Sequence, residues 1–359
     1  MTALLCLAVD GGGTKSRAVI SLRERQTDCL PLVVSQGIAL GSNLATEGLE
    51  VCVARIKQAT IRAIRSLPSS LLPSDFNEAQ VRSLFHKVWI GVSGVDNAPD
   101  VELLSAHLGP YFSGACSVRI TNDALLLSSP LVISDAISGV LAVSGTGTVC
   151  LSVTVDRYPG REKTISQVAR RGGLGWLLGD EGSAFYVGKM ALRSVLYAFD
   201  AGTLNESLHT EQEFIDELLI YWNVRSVDSL LGIVYQTLSS GSAGTAVKFK
   251  IAESARLVLK HAIPRPEFGI KKSSDLALSA VKLAAGHFAH DIARLIRPFP
   301  NGIDPNQSIL CLGGSLVGQE TYRQLVLESL KADHGIEFAY GCTHIADPAA
   351  DAALALASL

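Results

Sequence analysis

The run Leu4-Leu5-Cys6-Leu7-Ala8-Val9-Asp10-Gly11-Gly12-Gly13-Thr14-Lys15-Ser16-Arg17-Ala18-Val19-Ile20 decides how the chain is read. An apolar stretch ends in a carboxylate, turns through three glycines, presents Thr14 and Lys15, and continues as a second β-prone stretch. Glycines let the backbone take φ > 0 and bring its N–H groups against a ligand with no Cβ in the way. A concave run of amides suits a phosphate. The spacing is not that of a Walker A loop, and the strand-like residues after the turn argue against a dinucleotide fingerprint. The run predicts a β-hairpin whose tip holds phosphate. An ordinary glycine-rich turn is the alternative that this stretch alone leaves open.

Outward from the hairpin, strands and helices alternate. Leu32–Ser35 reads as a third strand, followed by Gly37–Leu44. Thr46–Leu67 has apolar residues at helical spacing (Leu49, Val53, Ile56, Ile61, Ile64), with Thr46 as N-cap and Pro68 beyond its end. Pro68–Asn77 reads as a loop, Lys87–Gly94 as a buried strand with its turn, Asp100–Leu108 as a helix, and Cys116–Asp123 as a strand ending on a carboxylate. The alternation implies a partly parallel sheet covered by helices on both faces. Ligands of such sheets bind beyond the carboxyl ends of the strands, so Asp10, Asn43, Ser93 and Asp123 are expected to converge there.

The pattern then restarts. Gly139–Val153 is again strand, glycine turn with hydroxyls (Ser144-Gly145-Thr146-Gly147-Thr148), and strand, which predicts a second, similarly built domain. A third glycine turn, Gly313-Gly314-Ser315, follows the apolar Ser308–Leu312 and precedes a helix at Gln319–Lys331. Between these lie helices expected at Gly182–Leu196, Glu211–Tyr221, Val247–Ile263 and Ser274–Leu295, with a loop at Arg265–Lys272 carrying Pro266 and Gly269. Ile336–Tyr340 reads as a last strand and Pro348–Leu359 as a closing Ala/Leu-rich helix.

Bulk properties exclude several classes. A chain of 359 residues with 48% hydrophobic and 18% charged residues has enough apolar content for two cores and is not disordered. Its net charge of −3 gives no reason to expect nucleic acid or an anionic membrane as partner. The seven cysteines are an odd number without Cys-x-x-Cys or Cys/His ligand spacing, which fits a reducing compartment and no disulfide framework, zinc site or iron–sulfur cluster. His287 and His290 lie near one helix face without a third ligand. The first apolar run has no basic segment before it and ends after about seven residues, too short for a signal core or a membrane span. The expectation is a cytoplasmic protein.

Four motifs in order (Asp10-Gly-Gly-Gly-Thr-Lys15, the strand-terminal Asp123, Ser144-Gly-Thr-Gly-Thr148 and Gly313-Gly-Ser315) resemble the sugar kinase/Hsp70/actin superfamily. The segment Gly172-Gly-Leu-Gly-Trp-Leu-Leu-Gly-Asp-Glu-Gly-Ser-Ala184 is similar to the signature of its N-acetylglucosamine kinase branch, grouped with BadF/BadG/BcrA/BcrD-type ATPases. The resemblance covers nearly the whole chain. It implies an α/β fold of two similarly built RNase H-like (actin/hexokinase-type) domains around a nucleotide cleft. Residues 1–133 plus 344–359 would form the N-terminal ATPase-like domain with part of the sugar site. Residues 134–343 would form the C-terminal one, with a helical insert, the adenosine site and a dimer surface. It implies ATP and Mg²⁺ as cofactors, a small-molecule sugar substrate and a homodimer, with no nucleic acid or membrane partner.

The resemblance also implies roles. Gly11, Gly12, Gly13, Thr14 and Lys15 would hold the β- and γ-phosphates, Gly145, Thr146 and Gly147 the phosphates from the other domain, and Gly313, Gly314 and Ser315 the adenosine. Asp10 would orient Mg²⁺, in keeping with that ion's preference for one or two carboxylates and several waters. Asp123 would be the general base towards the 6-hydroxyl of the sugar. Asn43, Asp123, Thr148, Gly175 and Asp180 would contact the sugar. Plainer readings stay open beside these. Asp10 could cap a turn, Asp123 could cap a short helix at Ala124–Ser128, and Asn43 could satisfy its own backbone. Asp180 and Glu181 could serve a helix dipole, and Lys15 could be a solvated hairpin charge. Leu174 and Val149 depart from the family pattern, where Trp and a polar residue are usual, so a glucosamine or other hexose kinase is an alternative. A BadF-like ATPase activator would need a cysteine-held cluster, for which no close cysteine pair exists. A non-catalytic sugar-binding regulator would not need the intact Asp10 and Asp123.

Overall fold

The structure, a computed structural model, describes residues 3–24, 30–72, 76–113, 117–157, 163–204, 209–238, 243–264 and 272–359. Contacts divide the chain into two units. The first comprises residues 1–137, 155–165 and 345–359, and the second residues 138–154 and 166–344. The stretch 155–165 thus goes with the first unit, although it lies inside the range the sequence assigns to the second.

The strands are β1 (Ala3–Gly11), β2 (Lys15–Glu24), β3 (Leu32–Leu40), β4 (Lys87–Val92), β5 (Ser117–Asn122), β6 (Ser138–Ser144), β7 (Thr148–Asp156), β8 (Thr164–Gly172), β9 (Ser308–Gly313) and β10 (Cys342–Ile345). The helices are α1 (Leu44–Glu47), α2 (Leu49–Arg65), α3 (Val81–Leu84), α4 (Ala98–Leu108), α5 (Ser129–Ile133) and α6 (Ala184–Asp200), followed by α7 (His209–Trp222), α8 (Asp228–Leu238), α9 (Ala243–Ala262), α10 (Asp275–Ala293), α11 (Glu320–His334) and α12 (Pro348–Ser358). One five-stranded sheet has the order β3-β2-β1-β4-β5, the other β10-β9-β6-β7-β8. In each, the first strand pairs antiparallel with the second (β1 with β2, β6 with β7) and parallel with the fourth (β1 with β4, β6 with β9). The two sheets share one topology.

The period-2 alternation of β1 places the first unit's acidic residue. Leu5, Leu7 and Val9 enter a core with Ile56, Ile64 and Leu104 of α2 and α4. Cys6 and Ala8 face the opposite way, into a core with Leu126, Val132 and the alanines of α12. Asp10 continues this second series, so it ends on the α12 side of the sheet. Helix α12 is tied down by polar bonds from β2: Ser21 Oγ donates to the Ala353 carbonyl at 2.7 Å, and Arg23 to the Ala357 and Ser358 carbonyls at 3.2 and 3.1 Å. In the second unit, α6, α9, α10 and α11 cover Val140, Ala142, Leu310 and Leu312 in a single core that includes Phe214, Trp222, Phe288 and Tyr322.

Several expectations need correction. The helix read as Thr46–Leu67 is two helices, because Gly48 (φ 80°) breaks it, and the N-cap is Asn43, not Thr46. The third strand runs on to Leu40. The helix read as Gly182–Leu196 begins at Ala184, after the N-cap Ser183, and runs to Asp200. Ile336–Tyr340 is not a strand: Gly335 (φ 64°) ends α11, the Ile336 amide bonds back to Leu330, and Ile336 and Phe338 pack on the core. The edge strand is β10 instead. Strand β8 and helix α8 went unread. The loop read at Arg265–Lys272 falls, but for its last residue, outside the described residues, as do residues 73–75 of the Pro68–Asn77 loop. Of the described cysteines, Cys6, Cys52, Cys150 and Cys311 are buried and Cys342 is exposed, while Cys29 and Cys116 lie outside the described residues.

Helices α6 and α9 approach so closely at Gly188 that a Cβ there would lie 2.0 Å from the Ile251 carbonyl oxygen. Gly188→Ala is expected to cost about 1–3 kcal/mol, the range of overpacked cores, measurable by urea unfolding. Wild-type stability in that variant would show that the helices can separate freely.

Candidate active site

In the first unit, the turn after β1 is open. Gly11 accepts from the Ser93 amide at 2.9 Å and Gly12 from the Ser42 amide at 3.0 Å. The amides of Gly12, Gly13 and Thr14 donate to no acceptor among the described residues. None of the three glycines adopts left-handed backbone, contrary to the expected φ > 0. Their contribution is the absence of side chains: nothing stands within 4 Å of a Cβ built at Gly13. Thr14 and Lys15 are exposed.

Asp10, at the end of β1, faces two other carboxylates. Burial, then the charges of Asp123 and Asp347, push its pKa up to about 7, against the pull of Lys15 and Arg17. The Asp10 carboxylate accepts no hydrogen bond among the described residues. A half-buried carboxylate that no protein donor satisfies is suited to a hard divalent cation, which takes oxygen ligands and keeps waters. Among the described residues no group of three His, Cys, Asp or Glu side chains is placed to hold a metal. A cation here would therefore rest on Asp10 and on ligand oxygens. Asp347, which sequence reasoning missed, pairs with Arg17 at 2.6 Å and caps α12 by accepting from the Ala350 amide at 3.2 Å. Arg17 stands opposite Asp10 in the β1–β2 register and also donates to Gln36 at 2.7 Å.

Asp123 begins the short 3-10 turn after β5, where the Asn122 side chain is the cap. Burial raises the Asp123 pKa. Hydrogen bonds from the Ala124 amide and its own amide oppose this, Asp96 adds to it, and Ser93 lowers it again. The Ala124 amide donates to Asp123 Oδ1 at 2.9 Å and to Asn122 Oδ1 at 2.9 Å. The cap reading of Asp123 thus coexists with a carboxylate held at a strand end. Asn43 accepts from the Ala45 and Thr46 amides at 2.9 and 3.1 Å, and its Nδ2 donates to Ser93 Oγ at 3.1 Å. The loop after β3, the loop after β4 and the turn after β5 are so linked through Asn43, Ser93 and Asp123.

In the second unit, the turn between β6 and β7 is built on Asp180. This residue is 4% exposed, with left-handed backbone (φ 63°), and its Oδ1 accepts from the Thr148 amide at 3.0 Å. A Cβ at Gly147 would lie 2.9 Å from both Asp180 oxygens, so only glycine lets the carboxylate sit under the turn. Thr148 Oγ1 donates to the Glu181 carbonyl at 3.2 Å. Asp180 and Glu181 precede the N-cap of α6, so neither stands in its first turn as the dipole reading required. Gly175 (φ 77°) forms a local turn, accepting from the Leu178 and Gly179 amides at 3.2 and 2.8 Å. The Gly173 amide ties this segment to the Thr148 carbonyl at 2.8 Å. Trp176 anchors it against Phe185 while Leu174 stays 64% exposed.

The third glycine turn meets the second. Gly314 (φ 103°) lies so close to the Ser144 carbonyl that a Cβ would be 2.4 Å from its oxygen. That carbonyl accepts from the Leu316 and Val317 amides at 3.0 and 3.1 Å. Beside the joined turns is a pocket of about 410 Å³. Thr146, Ser315, Leu316 and Gln319 line it together with Phe249, Ala252, Glu253 and Arg256 of α9. This is the size of a small-molecule site.

The half-buried Asp10 makes a testable contribution to stability. Its carboxyl titrates near 7 when folded against 3.8 ordinarily. Folding therefore favours the protonated form, and the stability this adds is present below about pH 4 and lost as pH rises through about 7. In chelator, raising pH from about 5 to about 8 should lower the melting temperature more for the wild type than for Asp10→Asn. Equal losses would show that Asp10 is not strained when charged.

No family model matches the chain. Over 200 residues it is 28% identical to the N-acetyl-D-glucosamine kinase of Dictyostelium discoideum, covering 56% of each protein. Over 234 residues it is 26% identical to the N-acetylmuramic acid/N-acetylglucosamine kinase of Clostridium acetobutylicum, covering 64% of each. The chain thus matches little more than half to under two thirds of the length of these curated relatives. Its fold is similar to a solved structure of a candidate N-acetylglucosamine kinase from Porphyromonas gingivalis, with a TM-score of 0.59 and 16% identity over 99% of both chains. The chain is thus similar in sequence to N-acetylglucosamine kinases over the matched stretches, and its duplicated α/β fold is similar to that of the Porphyromonas gingivalis structure.

Proposed function

We propose that the chain is an ATP-dependent amino-sugar kinase acting on the 6-hydroxyl of N-acetylglucosamine, with Asp123 as general base. The observation that carries the reading is the pair Asp10 and Asp123. Both are half-buried carboxylates at strand ends with raised pKa values, beside a turn whose amides are free. Two carboxylates in one electrostatic environment can divide the work of cation and proton. The curated relatives named as kinases support the same chemistry.

In this mechanism the sugar hydroxyl oxygen attacks the γ-phosphorus, its proton passes to Asp123, and the bond to the bridging oxygen of ADP breaks. Mg²⁺, when bound, neutralises phosphate charge. Asp10 would hold that ion, and the amides of Gly12, Gly13 and Thr14 would donate to phosphate oxygens. Such a reaction asks the protein chiefly for positioning and charge. The 410 Å³ pocket takes the nucleoside, with Ser315 and Gln319 as polar partners. Asn43 and Ser93 steady Asp123, and Asn43 is the sugar contact of the first unit. An electron-transferring activator is less well supported, since only one described cysteine is exposed.

Coupled ADP release over a panel of hexoses and amino sugars tests this. At least one amino sugar should stimulate turnover, and Asp123→Asn should lower kcat by about 10²–10⁴-fold while nucleotide binding persists. Absence of stimulation by any sugar would end the kinase reading. Because burial raises the Asp123 pKa and a base works deprotonated, the acid limb of kcat/KM should lie above the ordinary carboxylate range. Val149→Asn or Leu174→Trp should alter relative kcat/KM among sugars. If neither does, those residues lie away from the sugar.

A further inference from the structure

We propose that Lys248 of α9 supplies the positive charge that holds the phosphate chain of the nucleotide in the second unit; this rests on the nucleotide reading of the pocket above. Helix α9 lines that pocket with Phe249, Ala252, Glu253, Ala255, Arg256 and Leu259. Lys248 precedes Ala252 by four residues, one helical turn, and so continues the lining face beyond its first member. At that end stands the glycine turn, because the Lys248 ammonium lies 3.9 Å from Asp180 Oδ2, the carboxylate tucked under Gly147.

The ammonium is placed there without a hydrogen-bonding partner. At 3.9 Å the pairing with Asp180 is too long for a hydrogen bond, and Lys248 makes no other among the described residues. Its side chain is only 23% exposed, so its three N–H donors are partly withdrawn from water. Asp180 is engaged from the other side, by the Thr148 amide. The amides of Thr146 and Gly147, in the same turn, likewise donate to nothing among the described residues. One ammonium and two uncommitted amides around a single buried carboxylate form a site short of acceptors. A phosphate chain brings several oxygens and negative charge, and lysine is suited to it as a point charge. The base and ribose would lie further along α9, where Phe249, Ala252 and Leu316 form an apolar wall.

The competing assignment is purely structural, with Lys248 present only to neutralise Asp180. Calorimetric titration of the full chain with ATP, ADP and adenosine separates the two, using wild type, Lys248→Met and Lys248→Arg. Lys248→Met should weaken ATP and ADP about tenfold or more, the scale of one charge-assisted contact, and leave adenosine unchanged. Lys248→Arg should restore most of the loss, and the melting temperature without ligand should stay at the wild-type value. Equal weakening of ATP and adenosine, or unchanged ATP affinity, would overturn the assignment while leaving the nucleotide pocket standing. Wild-type protein that binds none of the three ligands would overturn the pocket reading and the lysine's role together.

Discussion

The constraint on which the first unit turns is a carboxylate that the fold half-buries among other acids without a donor to satisfy it. Strand alternation sends Asp10 to the α12 side of the sheet, where Asp123 and Asp347 already stand. An arrangement of this kind is costly for stability and persists where a ligand offsets the cost. Everything near it serves to hold the acids at their stations. Arg17 fixes Asp347, Asn122 and the Ala124 amide fix the turn of Asp123, and Asn43 with Ser93 joins the neighbouring loops.

The two units use one strand order for different tasks. In the first, the hairpin turn is open and accompanied by acids at strand ends. In the second, the corresponding turn has its acid, Asp180, folded beneath it, and a helix-lined pocket beside it. The same β-hairpin thus becomes either an exposed row of amides or a braced ledge. What differs is where the neighbouring carboxylate points, not how the strands pair.

Much of this could be read from residue order. Glycine turns after apolar runs announced both hairpins, and strand-end polar residues announced Asp10, Asn43, Ser93 and Asp123 as neighbours. The misreadings have physical causes. Strand β8 (Thr-Ile-Ser-Gln-Val-Ala-Arg-Arg-Gly) is an edge with every residue exposed or half-exposed, so it lacks the apolar signal of a buried strand. Ile336–Tyr340 alternates like a strand, yet its apolar residues dock on a helical core after a left-handed glycine. Asp347 and Lys248 were invisible because each matters through a contact distant in sequence, with Arg17 and Asp180. No local pattern encodes such a contact.

The position of α12 has a consequence for the order in which the molecule can be made. The helix that covers one face of the first sheet, and the acid that caps it, follow the whole second unit in the chain and are synthesised after it. Until then Cys6, Ala8, Val19 and Trp89 lie against no helix α12, and Asp10 has only one of its two acidic neighbours. The nascent first unit is therefore an open sheet with a greasy face, carried through the synthesis of some two hundred further residues. Its charge-strained site forms only when α12 docks. A chain interrupted before that point would lack both the lid on the sheet and the electrostatics of Asp10.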